Sequence, residues 1–276
     1  MPRRLRLDAE LVRRGLARSR DHAAELVAAG RVMVAGAAAT KPATGVTTDV
    51  AIVVRPDPDR PDYVSRGGHK LAGALTAFTG LSVAGRRCLD AGASTGGFTD
   101  VLLRHGASEV VAVDVGYGQL AWSVRQDSRV RVHERTNIRT LDVDSVGGPV
   151  DVVVADLSFI SLRLVLGALV RVTAPDGDMA LMVKPQFEVG KDRVGKGGVV
   201  RDPALRAEAV TEVADAAAAL GWGARDVAVS PLPGPSGNVE FFLWLRSGPA
   251  RLTEGRIEEE VRRGADPGEP GEKVGS

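Results

Sequence analysis

The chain has 276 residues, 26% of them charged, a formal net charge of +1 and a single cysteine, Cys88. That length allows a sizeable core and more than one domain, and the lone cysteine excludes an intrachain disulfide and fits a reducing, cytoplasmic setting. No apolar run approaches the roughly 20 residues of a membrane span, Met1 to Val12 lacks the apolar stretch of a signal peptide, and His22, His69, His105 and His133 lack ligand spacing, so no metal is expected.

Charge is unevenly spread. Residues 1–31 carry eight arginines against four acids. Within residues 1–55, Leu5, Leu7, Leu11 and Val12 begin one helical stripe, and Ala23, Ala24, Leu26 and Val27 form a second that Gly30 ends. Short β-like pieces follow at Val32–Val34 and Ala51–Val54, which makes this a small α+β unit. Its two helices, bearing Arg4, Arg6, Arg18 and Arg20, offer a basic face suited to the shape and phosphates of folded RNA. Residues 1–62 contain no aromatic side chain, which argues against stacking readout of single strands. Residues 56–62 hold three prolines, Pro56, Pro58 and Pro61, among charges and read as a linker.

From Tyr63 the pattern alternates between strands and helices. Leu71, Ala74, Leu75 and Phe78 recur at helical spacing and place Lys70 on the first turn of a helix. Apolar runs follow at Arg87–Ala91, Val110–Val115, Val130–His133, Val150–Ala155, Met179–Val183, Val227–Val229 and Phe241–Leu245, with the longest helical pattern at Pro203–Leu220. Such runs, separated by helices, predict a Rossmann-like α/β domain over 63–250 with a seven-stranded, mainly parallel sheet. No helix separates the last two runs, so they predict an antiparallel hairpin at the sheet edge. Residues 251–276 form an acidic tail whose end, from Gly264, has the composition of a disordered segment.

Leu89-Asp90-Ala91-Gly92-Ala93-Ser94-Thr95-Gly96-Gly97-Phe98 reads as strand, glycine turn and helix start, a geometry that turns backbone N–H groups onto a ligand. A dinucleotide fingerprint would place glycine where Ser94 stands, to admit a pyrophosphate. S-adenosylmethionine has none, so Ser94 favours it over NAD. Asp114, closing the next strand, suits the two hydroxyls of a ribose.

Lys70, Asp156, Lys184 and Glu240 each stand where an apolar pattern begins or stops, and strand ends in an open α/β sheet face the ligand crevice. Burying such groups is costly unless they are paired or working. Two structural salt bridges at the sheet rim would explain any one of them; all four beside a cofactor loop point to catalysis. Lys184, stiffened by Pro185, is the natural centre, with Asp156 and Glu240 orienting it and Lys70 as the second cation. A lysine whose proton affinity is lowered by a neighbouring cation can hold and deprotonate a hydroxyl that receives a methyl group. The glycine-bearing basic stretch Glu188 to Asp202 could close over substrate, and Gly234 to Asn238 could aim Glu240 inward, with Asn238 near substrate.

The segments SRGGHKL from Ser65, DAGASTGGFTDVLL, VDVGYGQLAW, ADLSFISL, VKPQFEVG and PLPGPSGNVEFFLWL closely resemble the TlyA (haemolysin A) family of ribosomal RNA methyltransferases, over nearly the whole chain except the tail. The resemblance implies a catalytic domain like that of FtsJ-type ribose 2′-O-methyltransferases, with a tetrad at Lys70, Asp156, Lys184 and Glu240. It implies cytidines of small- and large-subunit rRNA as substrates, S-adenosylmethionine as cofactor and ribosomal subunits as partners. Residues 1–55 resemble the α-L RNA-binding domain through Arg6-Leu7-Asp8, Leu11, Ser19-Arg20, Ala23, Leu26, Gly30 and Val32. The expected cofactor-binding set is Asp90, Gly92, Ala93, Ser94, Thr95, Gly96, Gly97, Phe98, Asp114, Asn137 and Asp156; Arg66 joins Arg4, Arg6, Arg18 and Arg20 in the RNA-binding set. A cytoplasmic monomer is assumed. The competing readings are a non-catalytic ribosome-binding factor and a membrane-active haemolysin, the latter opposed by the missing span and the missing amphipathic helix.

Overall fold

A computed structural model of the chain describes residues 4–17, 19–55, 57, 61–234 and 236–265. Two compact units divide it between Val64 and Ser65.

In the first unit, β1 (Arg4–Arg6) leads directly into α1 (Leu7–Arg13), followed by α2 (Arg20–Ala28), β2 (Val32–Val34), β3 (Ala37–Ala38), β4 (Gly45–Thr47) and β5 (Ile52–Val54). Arg4 and Arg6 lie on a strand and not on a helix. The residues Arg4-Leu5-Arg6-Leu7 alternate with a period of two, so Leu5 turns inward opposite Val46 while both arginines face out. Ser19 starts α2 as its N-cap, accepting from the His22 amide at 3.1 Å. Leu7, Leu11, Ala23, Leu26, Val27, Val32 and Val46 form the unit's own core. Most of the linker expected at 56–62 lies outside the described residues; near its end, Asp62 accepts from Arg31 (Nη1–Oδ1 3.2 Å).

The second unit begins with α3 (Arg66–Ala77). It continues through β6 (Arg87–Ala91), α4 (Gly97–Arg104), β7 (Glu109–Val113), α5 (Trp122–Arg125), β8 (Val130–His133), β9 (Val150–Ala155), α6 (Leu166–Val172), β10 (Thr173–Val183), α7 (Pro185–Glu188), α8 (Pro203–Ala218), β11 (Trp222–Val229), β12 (Phe241–Ser247) and α9 (Glu254–Ala265). Its seven strands run in the order β11-β12-β10-β9-β6-β7-β8. The five strands from β10 to β8 are parallel, and β12 is antiparallel to both its neighbours. The chain fills one side of β6 first and then crosses to the other, so the topological switch lies between β6 and β9. The near-continuous valines of β7 and β9 are buried because helices cover both faces.

Two expectations need correction. Helix α3 starts at Arg66, which puts Lys70 on its second turn. Gly97 explains the early start: a Cβ there would lie 2.2 Å from Ser65 Oγ and 2.9 Å from the Gly68 amide, so the first turn of α3 packs directly on the start of α4. The packed domain also continues past residue 250. Residues 251–252 and α9 lie along β11: the Arg251 and Leu252 amides donate to Ala224 O, Arg256 to Val227 O, and the Val229 amide to buried Glu260 at 2.7 Å. Ile257 and Val261 join the main core. Of the segment from Gly264 expected to be disordered, residues 266–276 lie outside the described residues.

Candidate active site

The carboxyl ends of the parallel strands form one rim. Gly92 follows β6, Asp114 follows β7, Asp156 follows β9 and Lys184 follows β10. Glu240 reaches the same rim from the opposite direction, because it precedes β12 and Phe241 is in register with Val183. Its buried carboxylate Oε2 accepts from Lys70 Nζ at 2.5 Å. Lys184 Nζ lies 2.6 Å from Asp156 Oδ1 and donates to Ser158 Oγ at 2.9 Å. The four residues thus meet on the rim as two ion pairs, with Glu240 paired to Lys70 and not to Lys184 as expected. Helix α3 delivers Lys70 across the start of β12, and that carboxylate is the acceptor it reaches.

Both lysines are almost fully buried. An ammonium held in so little water requires its carboxylate, so loss of either partner leaves an uncompensated charge. Ser158 was not singled out in the sequence; a serine two residues past a strand carries no distinctive pattern. Phe159 follows it with φ +63° and is 91% exposed. A bulky residue in the left-handed region is strained. Its ring meets Phe187 with centroids 5.4 Å apart, and Lys184 Nζ lies 6.0 Å from the Phe187 ring. Buried Glu188 accepts from Ser161 Oγ and the Leu162 amide and fixes this loop; burial raises its pKa.

The glycine turn follows from steric demand. Gly92 has φ +86°, and a Cβ there would sit 2.7 Å from Asp156 O. The turn borders a cavity of about 110 Å³ lined by Ser65, Gly67, Gly92, Ala93, Ser94, Thr95, Gly97, Phe98 and Asp156. A second recess involves Ala93, Ser94, Asp114, Gln119, Leu120 and Val132. Ser94, at φ +47°, donates its amide to Asp114 Oδ2 at 2.8 Å, while Gly116 donates to Oδ1 at 2.6 Å. Each oxygen keeps a further lone pair for a ribose hydroxyl. A carboxylate between a narrow glycine cradle and an apolar recess fits a nucleoside cofactor without a pyrophosphate. Asp90 lies beneath this turn, fully buried, with Oδ2 accepting from Thr99 at 2.6 Å and Oδ1 unpartnered among the described residues. Burial pushes its carboxyl up to about 7. Asn137 lines neither cavity; its side chain accepts from the Arg139 amide and caps an exposed turn after β8. Gly96, also left-handed, is the N-cap of α4.

Asn238 is not a substrate contact. It is buried, accepts from the Val200 amide at 2.9 Å and donates to Gly198 O at 2.8 Å. Through it the stretch 188–202 is tied to the turn that carries Glu240. Among the expected RNA contacts, Arg4 and Arg66 are exposed, whereas Arg6 and Arg20 both bind Asp8, at 2.8 and 3.0 Å. Arg18 lies outside the described residues. Among the described residues no cluster could hold a metal ion, and no helix is long and apolar enough to cross a membrane.

A mainly parallel sheet with a glycine cradle, an aspartate bound to the amides beside it and a Lys-Asp-Lys-Glu rim is the architecture of a methyltransferase domain. The chain belongs to the FtsJ-like methyltransferase family, whose model matches residues 63–247, and carries an S4 domain at residues 5–52. It is 61% identical over 269 residues to the 16S/23S rRNA (cytidine-2′-O)-methyltransferase TlyA of Mycobacterium tuberculosis, covering 97% of this chain and 100% of that protein. It is 36% identical to Hemolysin A of Brachyspira hyodysenteriae, covering 86% and 98%. Among solved structures, a hemolysin-named protein from Streptococcus thermophilus superposes with a TM-score of 0.72 at 37% identity, covering 96% of each chain.

Proposed function

We propose that this protein methylates the ribose 2′-hydroxyl of cytidine in ribosomal RNA, with S-adenosylmethionine as methyl donor. The observation that carries the reading is the pairing of Lys184 with Asp156 and Lys70 with Glu240 on the rim beside the glycine cradle. The TlyA relative's activity supports the choice of cytidine and of small- and large-subunit rRNA.

Bound in the cradle, S-adenosylmethionine supplies an electrophilic methyl group. Gly92 to Phe98 and Asp156 would hold it, with Asp114 placed to accept from its ribose hydroxyls. As the acceptor oxygen gained the methyl group, the methyl–sulfur bond would break and the neutral thioether S-adenosylhomocysteine would leave. Lys184 in its amine form would hold that oxygen and take its proton, Asp156 would stabilise the resulting ammonium, and Ser158 would fix the lysine's direction. Lys70, neutralised by Glu240, completes the wall. The exposed Phe159 ring gives an extruded base a stacking face. Residues 1–55 grip folded RNA, and 63–250 with α9 perform the transfer. The partners are ribosomal subunits in the cytoplasm.

The test is transfer of labelled methyl from S-adenosylmethionine to unmethylated ribosomal subunits and to free rRNA. Wild type should label RNA at sites that resist alkaline cleavage. Lys184→Ala and Lys184→Arg should each lose about 10²–10⁴ in rate, since arginine keeps the charge but accepts no proton. Binding without transfer by wild type would instead identify a ribosome-binding factor.

A further inference from the structure

Arg206, on the first turn of α8, is 7% exposed. Its Nε donates to Val200 O at 2.9 Å, yet among the described residues no carboxylate lies within ion-pair range. Burial lowers its pKa, with the charge of Asp202 acting in the opposite sense. Asp202 is itself engaged as the N-cap of α8, accepting from the Ala204 amide at 2.9 Å. An arginine stays charged, so this guanidinium is a buried cation that no described carboxylate contacts, with Asp202 acting on it only from a distance. The other buried cations described in the second unit, Lys70 and Lys184, each have a carboxylate in ion-pair range, which makes this one anomalous for a purely structural role.

The guanidinium borders a cavity of about 630 Å³, whose wall includes Arg201, Arg263, Ser230 and Gly237. Glu260 neutralises Arg263 at 2.9 Å. Arg201 is exposed and, among the described residues, donates to a carbonyl, Lys196 O, and to no acid. Two cations without acids therefore face one space. That space lies at the same end of the sheet as the catalytic rim. Val229 of β11 is in register with Phe241 of β12, which is in register with Val183 of β10, so the cavity lies two strand spacings, about 10 Å, from the strand that ends at Lys184. Asn238 ties its wall to the turn that presents Glu240.

We propose that this cavity binds a backbone phosphate of the RNA strand beside the nucleotide presented to Lys184, with Arg206 and Arg201 as its ligands. A guanidinium presents paired N–H groups that match two phosphate oxygens. A phosphate there is the counter-ion that Arg206 lacks, and it fixes the strand so that the target ribose meets the rim in one register. The inference rests on the RNA methyltransferase reading and adds the point at which the strand is gripped.

The experiment uses the full chain as wild type, Arg201→Ala and Arg206→Met. Arg201 stands on the exposed wall, so its variant folds whatever becomes of Arg206→Met, whose fold is checked by thermal melting. Binding to unmethylated rRNA is measured over a range of salt, and methyl transfer over a range of RNA concentration. Each variant should reduce the slope of log affinity against log salt by about one. Each should raise KM for RNA about tenfold, with kcat and S-adenosylmethionine affinity unchanged. Methylphosphonate placed at single positions flanking the target should weaken wild type at one position, and that position should no longer matter in the variants. Active wild type beside Arg201→Ala with unchanged slope and KM would overturn the proposal while leaving the methyltransferase reading intact. Wild type that transfers no methyl would defeat that reading itself. Pyrophosphate binding by calorimetry that Arg201→Ala abolishes, with RNA binding unaltered, would overturn the proposal in favour of a free-anion site.

Discussion

At the scale of the residue, the site is defined by groups held where water cannot stabilise them. Phe159 is the converse: a large ring kept almost wholly in water on a strained backbone. Phe159→Ala should leave S-adenosylmethionine affinity unchanged and raise KM for RNA about 10-fold or more, since stacking a base on an aromatic contributes roughly 1–3 kcal/mol; steady-state kinetics with both substrates varied would check it. Asp90 carries a pH signature. Burial raises its carboxyl to about 7, against 3.8 in an open chain. Between those values the folded state binds more protons than the unfolded, so this residue makes stability fall as pH rises through that window. Asp90→Asn should therefore melt higher than wild type at pH 8, by an equivalent of up to about 4 kcal/mol, and lose the advantage near pH 4; melting curves across that range test the sign. Cys88 is buried, and its thiol is pushed up to about 12, so it plays no part in the chemistry.

At the scale of the element, the second unit was largely legible because its strands are buried on both faces. Runs such as Val150–Ala155 and Met179–Val183 have no solvent-facing side and show their burial as unbroken apolar sequence. The rim residues were legible as charges interrupting those runs. Which lysine meets which carboxylate was not, because that depends on the angle at which α3 crosses β12. Nor was the role of Asn238, whose two bonds join segments nearly 40 residues apart in sequence. Helix α9 escaped notice because its acids and arginines hide a narrow apolar stripe, Ile257 and Val261. Arg4 and Arg6 were misplaced because a three-residue strand is too short to outweigh a helical stripe that continues past it. Asn238→Ala should free the 198–200 backbone and loosen the turn before Glu240. We expect about 1–3 kcal/mol of lost stability and a fall in kcat greater than any rise in S-adenosylmethionine Kd, measurable by melting, kinetics and calorimetry.

At the scale of the whole molecule, two separately cored units divide binding from chemistry. The first contributes charge, though less than its arginine count suggests. Asp8 holds Arg6 and Arg20, and Glu10, drawn down to about 2 by Arg13 and Arg14, holds those two. Among the described residues of this unit, the exposed cations outside ion pairs are Arg4, Lys41 and Arg55, alongside the exposed flanks of the paired arginines. Arg20→Glu would set a second acid beside Asp8 and should weaken rRNA binding most at low salt, with S-adenosylmethionine affinity and the identity of the methylated nucleotide unchanged. Filter binding across a salt series reads the first effect, and equal affinity at every concentration would refute it.

The strip of chain from Arg251 to Glu260 has a consequence beyond its own packing. It occupies the amide and carbonyl groups on the outer side of β11, at Ala224, Val227 and Val229. Without it, that side would present an unsatisfied template to the corresponding strand of any second copy. The strip thus closes the sheet: with Ala224, Val227 and Val229 already engaged, those backbone groups are withheld from a neighbouring molecule's strand.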